Sequence, residues 1–185
     1  MGSVIFVAGV YGVGKSTLCG QLSQKCHVNF YSAGDLISDV NGEKYGANKT
    51  VKDKVENQDI LVRRILEKKE HEEKILLAGH FCILGSEGQV EILPIDTYGR
   101  LHISSIVLLE AEADIIVKNL KKRDGKDYSM KQIEEFIGKE RECATSVSKL
   151  LNIPLHVHKM DFSSNDLESA CLILEEVYGE NFIGY

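Results

Sequence analysis

The stretch Val4-Ile-Phe-Val-Ala-Gly9-Val-Tyr-Gly-Val-Gly14-Lys15-Ser16-Thr17 decides how the rest of the chain is read. Val4 to Ala8 is a short, unbroken, partly β-branched apolar run, the profile of a strand buried on both faces. Gly9 to Ser16 then matches G-x-x-x-x-G-K-[ST], and the spacing of Leu18 and Leu22 behind it opens a helix. Glycines at these places let the backbone curl so that successive N–H groups point inward at phosphate oxygens, reinforced by the positive end of the following helix. Lys15 would then bridge the β- and γ-phosphates of a nucleotide, Ser16 would hold Mg²⁺ and Thr17 would touch the α-phosphate. The expected nucleotide-binding set is therefore Gly9, Gly12, Val13, Gly14, Lys15, Ser16 and Thr17, with Ser16 as the metal ligand.

Outward from this loop the same strand profile recurs at Val28–Tyr31, Lys74–Ala78, Ile106–Leu109 and Ile153–Val157. Helical stripes lie between: Ala113, Ile116, Val117 and Leu120; then Met130, Ile133, Phe136/Ile137, Ala144, Val147 and Leu151; then Leu167, Cys171, Leu174 and Val177. Ser129 and Gln132 have the spacing of a reciprocal capping box. Strands alternating with helices predict an α/β fold, a P-loop NTPase of three layers, α/β/α, with a five-stranded parallel sheet. Residues 1–185 read as a single domain. Residues 81–104, with a Gly85–Gly88 turn and Pro94, read as an irregular excursion with a hairpin, and residues 124–128 as a polar break between two helices. The mixed charge run from Glu67 to Lys74 reads as a solvated helix end.

Composition narrows the function. With 28 acids against 22 bases the formal net charge is −6, which argues against double-stranded nucleic acid or a polybasic membrane contact. The apolar runs are strand-sized and no charged leader opens the chain, so no membrane association and a cytoplasmic location are expected. Five scattered cysteines without a C-x-x-C pair read as buried thiols, not as a disulfide frame or zinc site. His156 and His158 share a strand face and read as structural. Asn48-Lys49-Thr50-Val51 lacks the final acid of a guanine selector, and an AAA-type motor would be longer, with a clear acidic Walker B strand. The compact class left is the small P-loop kinases.

With the phosphate loop in place, Tyr31-Ser-Ala-Gly-Asp35-Leu-Ile is similar to the Ser-x-Gly-Asp-(Leu/Met)-Leu stretch of nucleoside monophosphate kinases, and the chain resembles the archaeal-type adenylate kinases most. Gly79-His80, Leu93-Pro94, Asp114 and Glu140-Arg141 with Ala144 extend the resemblance in order. It implies ATP with Mg²⁺ on the phosphate loop, and an acceptor nucleoside monophosphate in a helical segment within 33–70 that includes Gly34 and Asp35, with His80 beside it. It implies a short lid at 124–128, and it places phosphate-clamping arginines at Arg123 and Arg141, catalytic together with Lys15. Read from the residues alone, Arg123 fits equally the basic end of a helix, Asp35 a helix cap, and His80 a structural imidazole.

The chain departs from that family in three ways. Arginine occurs five times, at 63, 64, 100, 123 and 141. Ser38 stands where the family places a monophosphate-binding arginine, and Ala78 where it ends the third strand in an acid; Glu110 or Asp35 could take that acid's place. Lys49, Lys52 and Lys54 could serve an acceptor phosphate as point charges. Monophosphate kinase is the preferred reading. Kinase of another small acceptor is the alternative, as is a slow NTPase acting through a protein partner, for which Phe182-Ile183-Gly184-Tyr185 would be the apolar patch.

Overall fold

The computed structural model describes residues 2–41, 54–85 and 87–179. Strand β1 (Ser3–Ala8) leads through the phosphate loop into helix α1 (Lys15–Cys26), then β2 (Asn29–Ser32) and α2 (Ala33–Asn41). Helix α3 (Lys54–Lys69) and strand β3 (Lys74–Ala78) follow, then the short strands β4 (Cys82–Leu84) and β5 (Val90–Ile92) and the single turn α4 (Asp96–Arg100). The chain closes with β6 (Ile103–Glu110), α5 (Ala113–Asp124), α6 (Met130–Leu151), β7 (Leu155–Lys159) and α7 (Ser164–Tyr178).

Five strands form one parallel sheet in the order β2-β3-β1-β6-β7, and β4 pairs with β5 as an antiparallel hairpin. β1 is central, with Phe6 opposite Leu77 on one side and Ile106 on the other. Val4, Ile5, Phe6, Val7 and Ala8 are all at or below 2% exposure, as a strand covered on both faces requires. Order and helices together realise the expected α/β P-loop architecture. Because β1, β3 and β6 run the same way, their carboxyl ends open on one side, the place where open parallel sheets bind ligands.

Several local expectations shift for physical reasons. β7 begins at Leu155 because Pro154 has no N–H to give the ladder; its carbonyl instead accepts from Ile106 N at 2.9 Å. β6 begins three residues early because Ser104 spends its polarity locally, meeting Ser3 Oγ at 2.6 Å and the Val4 carbonyl at 3.1 Å. Ser129 caps α6 through Gln132 N, but Gln132 does not reach back; its amide donates to the Gly88 carbonyl at 2.6 Å and ties the hairpin to α6. The charge run after α3 is only partly solvated, since Lys69 is buried and Lys68 lies 3.9 Å over the Tyr31 ring.

All five cysteines are free and buried, and burial pushes the Cys19 thiol up to about 12. His158 and His156 have acidic neighbours, Asp166 at 2.7 Å and Glu176 at 3.8 Å. Even so, the described residues contain no group of three His, Cys, Asp or Glu placed to hold a metal. No described helix is long and apolar enough to cross a membrane. Lys49, Lys52, Asn48–Val51 and Phe182–Tyr185 lie outside the described residues.

Candidate nucleotide and acceptor cleft

A cleft of about 570 Å³ opens at the carboxyl ends of β1 and β3. Its head is the phosphate loop, where Gly12, Gly14, Lys15, Ser16 and Thr17 line the wall. Gly14 caps α1 at φ 97°, a left-handed conformation in which a side chain is strained, and no side chain caps this helix end. The first-turn N–H groups of a helix lack intrahelical acceptors, so an uncapped start beside exposed Ser16 and Thr17 is an anion site by construction.

Gly9 and Val13 do not line this wall. Val13 is fully buried, and a Cβ on Gly9 would sit 2.6 Å from the Leu109 carbonyl and 2.9 Å from Val13. The Gly9 carbonyl accepts from Lys15 Nζ at 2.6 Å and from His80 Nδ1 at 2.7 Å. Because a carbonyl only accepts, the His80 proton sits on Nδ1. Lys15 also donates to the Val10 carbonyl at 3.0 Å, so its ammonium lies folded onto its own loop.

Glu140 entered the sequence reading only as part of the resemblance, with no role, yet it organises this region. It is 1% exposed, yet its carboxylate accepts from Gly9 N at 3.1 Å, from Phe81 N at 3.0 Å and from Cys82 N at 2.8 Å. One buried side chain on α6 thereby fixes the exit of β1 and the turn after β3, on either side of His80. Burial pushes its carboxyl up, while those N–H groups and the nearby Lys15 charge pull it down. A signal existed: Glu140 falls on the apolar stripe that runs Ile133, Phe136, Cys143, Ala144 and Val147, all buried.

Arg123, at the end of α5, lines the cleft mouth and is held by Asp124 in a two-point pair of 2.5 and 2.7 Å. Tyr128 OH donates to the same carboxylate at 2.9 Å, so the short segment 124–128 is closed on the arginine's partner. Asn119, one turn earlier, donates to the Gly12 carbonyl at 2.9 Å and couples α5 to the phosphate loop. Met160, Phe162 and Ser163 complete that end, shaped by the buried Asp166, which accepts from Asp161 N and Phe162 N.

Arg141 does not line this cleft. It is 61% exposed and paired with Glu110. Asp35 is exposed in the first turn of α2 and also lies outside the wall; Ser32 caps that turn by accepting from Asp35 N at 3.4 Å. Gly34 and His80 do line it, together with Ser32, Ile37, Asn57, Gln58, Leu61 and Tyr98. Neither Arg63 nor Arg64 of α3 reaches the wall, and Arg64 pairs with Glu67.

Residues 8–136, well over half the chain, match the family model described as AAA domain. The chain belongs to the AAA domain family. Among solved structures, this AAA domain protein superposes on shikimate kinase from Bacteroides thetaiotaomicron with TM-score 0.60 at 19% identity, covering 95% of this chain and 98% of that one. A gluconokinase from Sinorhizobium meliloti 1021 gives 0.59 at 15%, covering 96% and 95%. A sugar kinase from Janibacter sp. HTCC2649 gives 0.58 at 14%, covering 96% of each. No curated protein matches the sequence. The shared fold is that of P-loop kinases, which narrows the adenylate-kinase resemblance to this coarser class.

Proposed function

We propose that this chain is a phosphotransferase that moves the γ-phosphoryl group of ATP to a small acceptor. The observation that carries this reading is the continuity of the cleft. The phosphate loop at its head runs past His80 into a second compartment walled by Ala33, Gly34 and Ile37 of α2 and Asn57, Gln58 and Leu61 of α3. Phosphoryl transfer asks the protein mainly to align two reactants and to clamp charge on the moving group. ATP on the loop would draw Lys15 from the Gly9 and Val10 carbonyls onto the β- and γ-phosphates, with Arg123 at the mouth as the second cation.

A Mg²⁺ ion in such sites takes most of its shell from phosphate oxygens and water, with only one or two protein ligands. The exposed Ser16 hydroxyl fits that small share, and β3 ends in buried Ala78 without a carboxylate. The donor set therefore suits an ion that arrives with the nucleotide; when bound it neutralises charge between the β- and γ-phosphates. The sequence resemblance favours a nucleoside monophosphate as acceptor. A different small molecule fits the same compartment, and the names of the three structural neighbours support that second reading.

The deciding experiment is ADP formation from ATP and Mg²⁺, without acceptor and with a panel of candidates, beside Lys15→Ala. Turnover that rises with one acceptor and disappears in Lys15→Ala is the expected result, with the melt of the variant within a few degrees of wild type. Turnover that survives Lys15→Ala overturns the reading. Slow, Lys15-dependent turnover indifferent to every acceptor would point to an NTPase working through a protein partner.

A further inference from the structure

Asp166, in the first turn of α7, is 4% exposed and lines the cleft beside the phosphate loop. Both of its oxygens are occupied. Oδ1 accepts from His158 Nε2 at 2.7 Å and from Asp161 N at 3.1 Å, and Oδ2 accepts from Phe162 N at 2.7 Å. A carboxylate only accepts, so the His158 proton that faces Asp166 sits on Nε2. Strand β7 thus fixes, through one largely buried imidazole, a carboxylate on α7, and that carboxylate fixes the turn between the two elements.

The turn does not need this clamp merely to start a helix. Ser163 already caps α7 by accepting from Asn165 N at 3.1 Å, and Asp161 Oδ1 accepts from Ser163 N at 2.8 Å. What Asp166 adds is a hold on Phe162. That residue has φ 62°, a left-handed conformation costly for a bulky side chain, and it is 43% exposed although large and apolar. Strain of this kind persists where surrounding bonds over-determine it, and it clusters at ligand clamps. A Cβ on Gly14 would stand 3.3 Å from Met160 Cε and 3.5 Å from Phe162 Cε1, so both side chains lie close against the last glycine of the phosphate loop.

We infer that His158 and Asp166 are positioning residues for the phosphoryl donor. They hold the turn at 160–163 against the phosphate loop, so that the part of the donor beyond its phosphates meets a wall already formed. Their effect reaches the donor through Met160, Phe162 and Ser163, which line the cleft. This rests on the phosphotransferase reading and adds to it what orders the far end of the donor site.

The test compares two ligands on the same protein. ATP carries phosphates, ribose and base, whereas inorganic tripolyphosphate carries the phosphates alone. Dissociation constants for both, with Mg²⁺, are measured by calorimetry on wild type, His158→Phe and His158→Gln. His158→Phe keeps a flat ring and removes the donor; it should weaken ATP about tenfold and leave tripolyphosphate within about twofold. His158→Gln returns an N–H near the place of Nε2 and should bring ATP back to within about threefold of wild type. A purely structural role would weaken both ligands alike. If His158→Phe melts far below wild type, His158→Asn, polar but too short to reach Asp166, gives the same comparison. Four results overturn the inference: ATP and tripolyphosphate weakening together, ATP binding unchanged in folded His158→Phe or His158→Asn, His158→Gln no better than those variants, or both of them unfolding. The phosphotransferase reading fails separately, through ADP formation that persists in Lys15→Ala, a measurement on which His158 has no bearing.

Discussion

Glu140 carries the sharpest lesson about single residues. A buried carboxylate is costly unless its oxygens are filled, and here three backbone N–H donors from two different strand ends fill them. Glu140→Gln replaces one acceptor oxygen by an NH₂ that faces those same donors, so it should lower unfolding free energy by ~2–4 kcal/mol, read from denaturant melts. The pH dependence has a definite sign. A folded-state carboxyl raised above its unfolded value destabilises the ionised protein, so the advantage of wild type over Glu140→Gln should shrink as pH rises from about 4.5, the ordinary value. A gap that widens with pH would mean the N–H groups outweigh burial, and a constant one that the two cancel. Glu140 was visible in the sequence as a member of the resemblance and as a charge on an apolar stripe; its partners come from residues 58 to 131 positions away and could not be read. Gln58 was hidden differently, inside a polar run (Glu56-Asn-Gln-Asp59) that looks like any solvated helix face.

At the level of elements, α5 is the piece that links the phosphate loop to segment 124–128. Asn119 grips the Gly12 carbonyl, Leu120 packs where a Gly12 side chain would stand, and Arg123 reaches the cleft from the last turn. The helix stops there because Gly125 takes a left-handed φ of 67° and its N–H closes on the Lys121 carbonyl. Arg123→Ala should therefore cut turnover about 100-fold with a smaller change in the KM for ATP, since a charge clamp acts mainly on the transition state. Arg141→Ala should leave turnover within about twofold, because an exposed pair with Glu110 contributes little. Steady-state kinetics of the two variants side by side check both statements. The sequence placed both arginines on the right helices; what it lacked was rotation about the helix axis, which decides that one faces the cleft and the other Glu110.

Across the whole molecule, strand number, parallel direction and the phosphate loop were legible because each rests on local pattern: apolar runs, helical stripes and glycine spacing. Strand order was not, since β1 gains β3 and β6 as neighbours through contacts distant in sequence. The cysteines belong to this scale too, for they report the core as one unit. Cys19, Cys26, Cys82, Cys143 and Cys171 are spread from α1 to α7 and all buried, and burial holds Cys19 and Cys26 up at about 12. A thiolate is the reactive form, so iodoacetamide should modify the native protein far more slowly than the same chain in denaturant, as mass spectrometry would show. Rapid labelling of any one of them without denaturant would mean that part of the core opens independently.

One detail of the phosphate loop bears on how the protein chooses what enters. Lys15 is bonded to two carbonyls of its own chain, at 2.6 and 3.0 Å, and behaves as a bolt drawn across the anion site. A ligand must outcompete both carbonyls before it gains the ammonium. Chloride, bicarbonate or a lone sulfate brings too little charge, spread over too short a reach, to make that exchange. A polyphosphate brings several oxygens in a row, each able to form a stronger, charge-assisted bond. On the phosphotransferase reading, tripolyphosphate should therefore displace a bound nucleotide at far lower concentration than sulfate does, before any base or sugar is recognised.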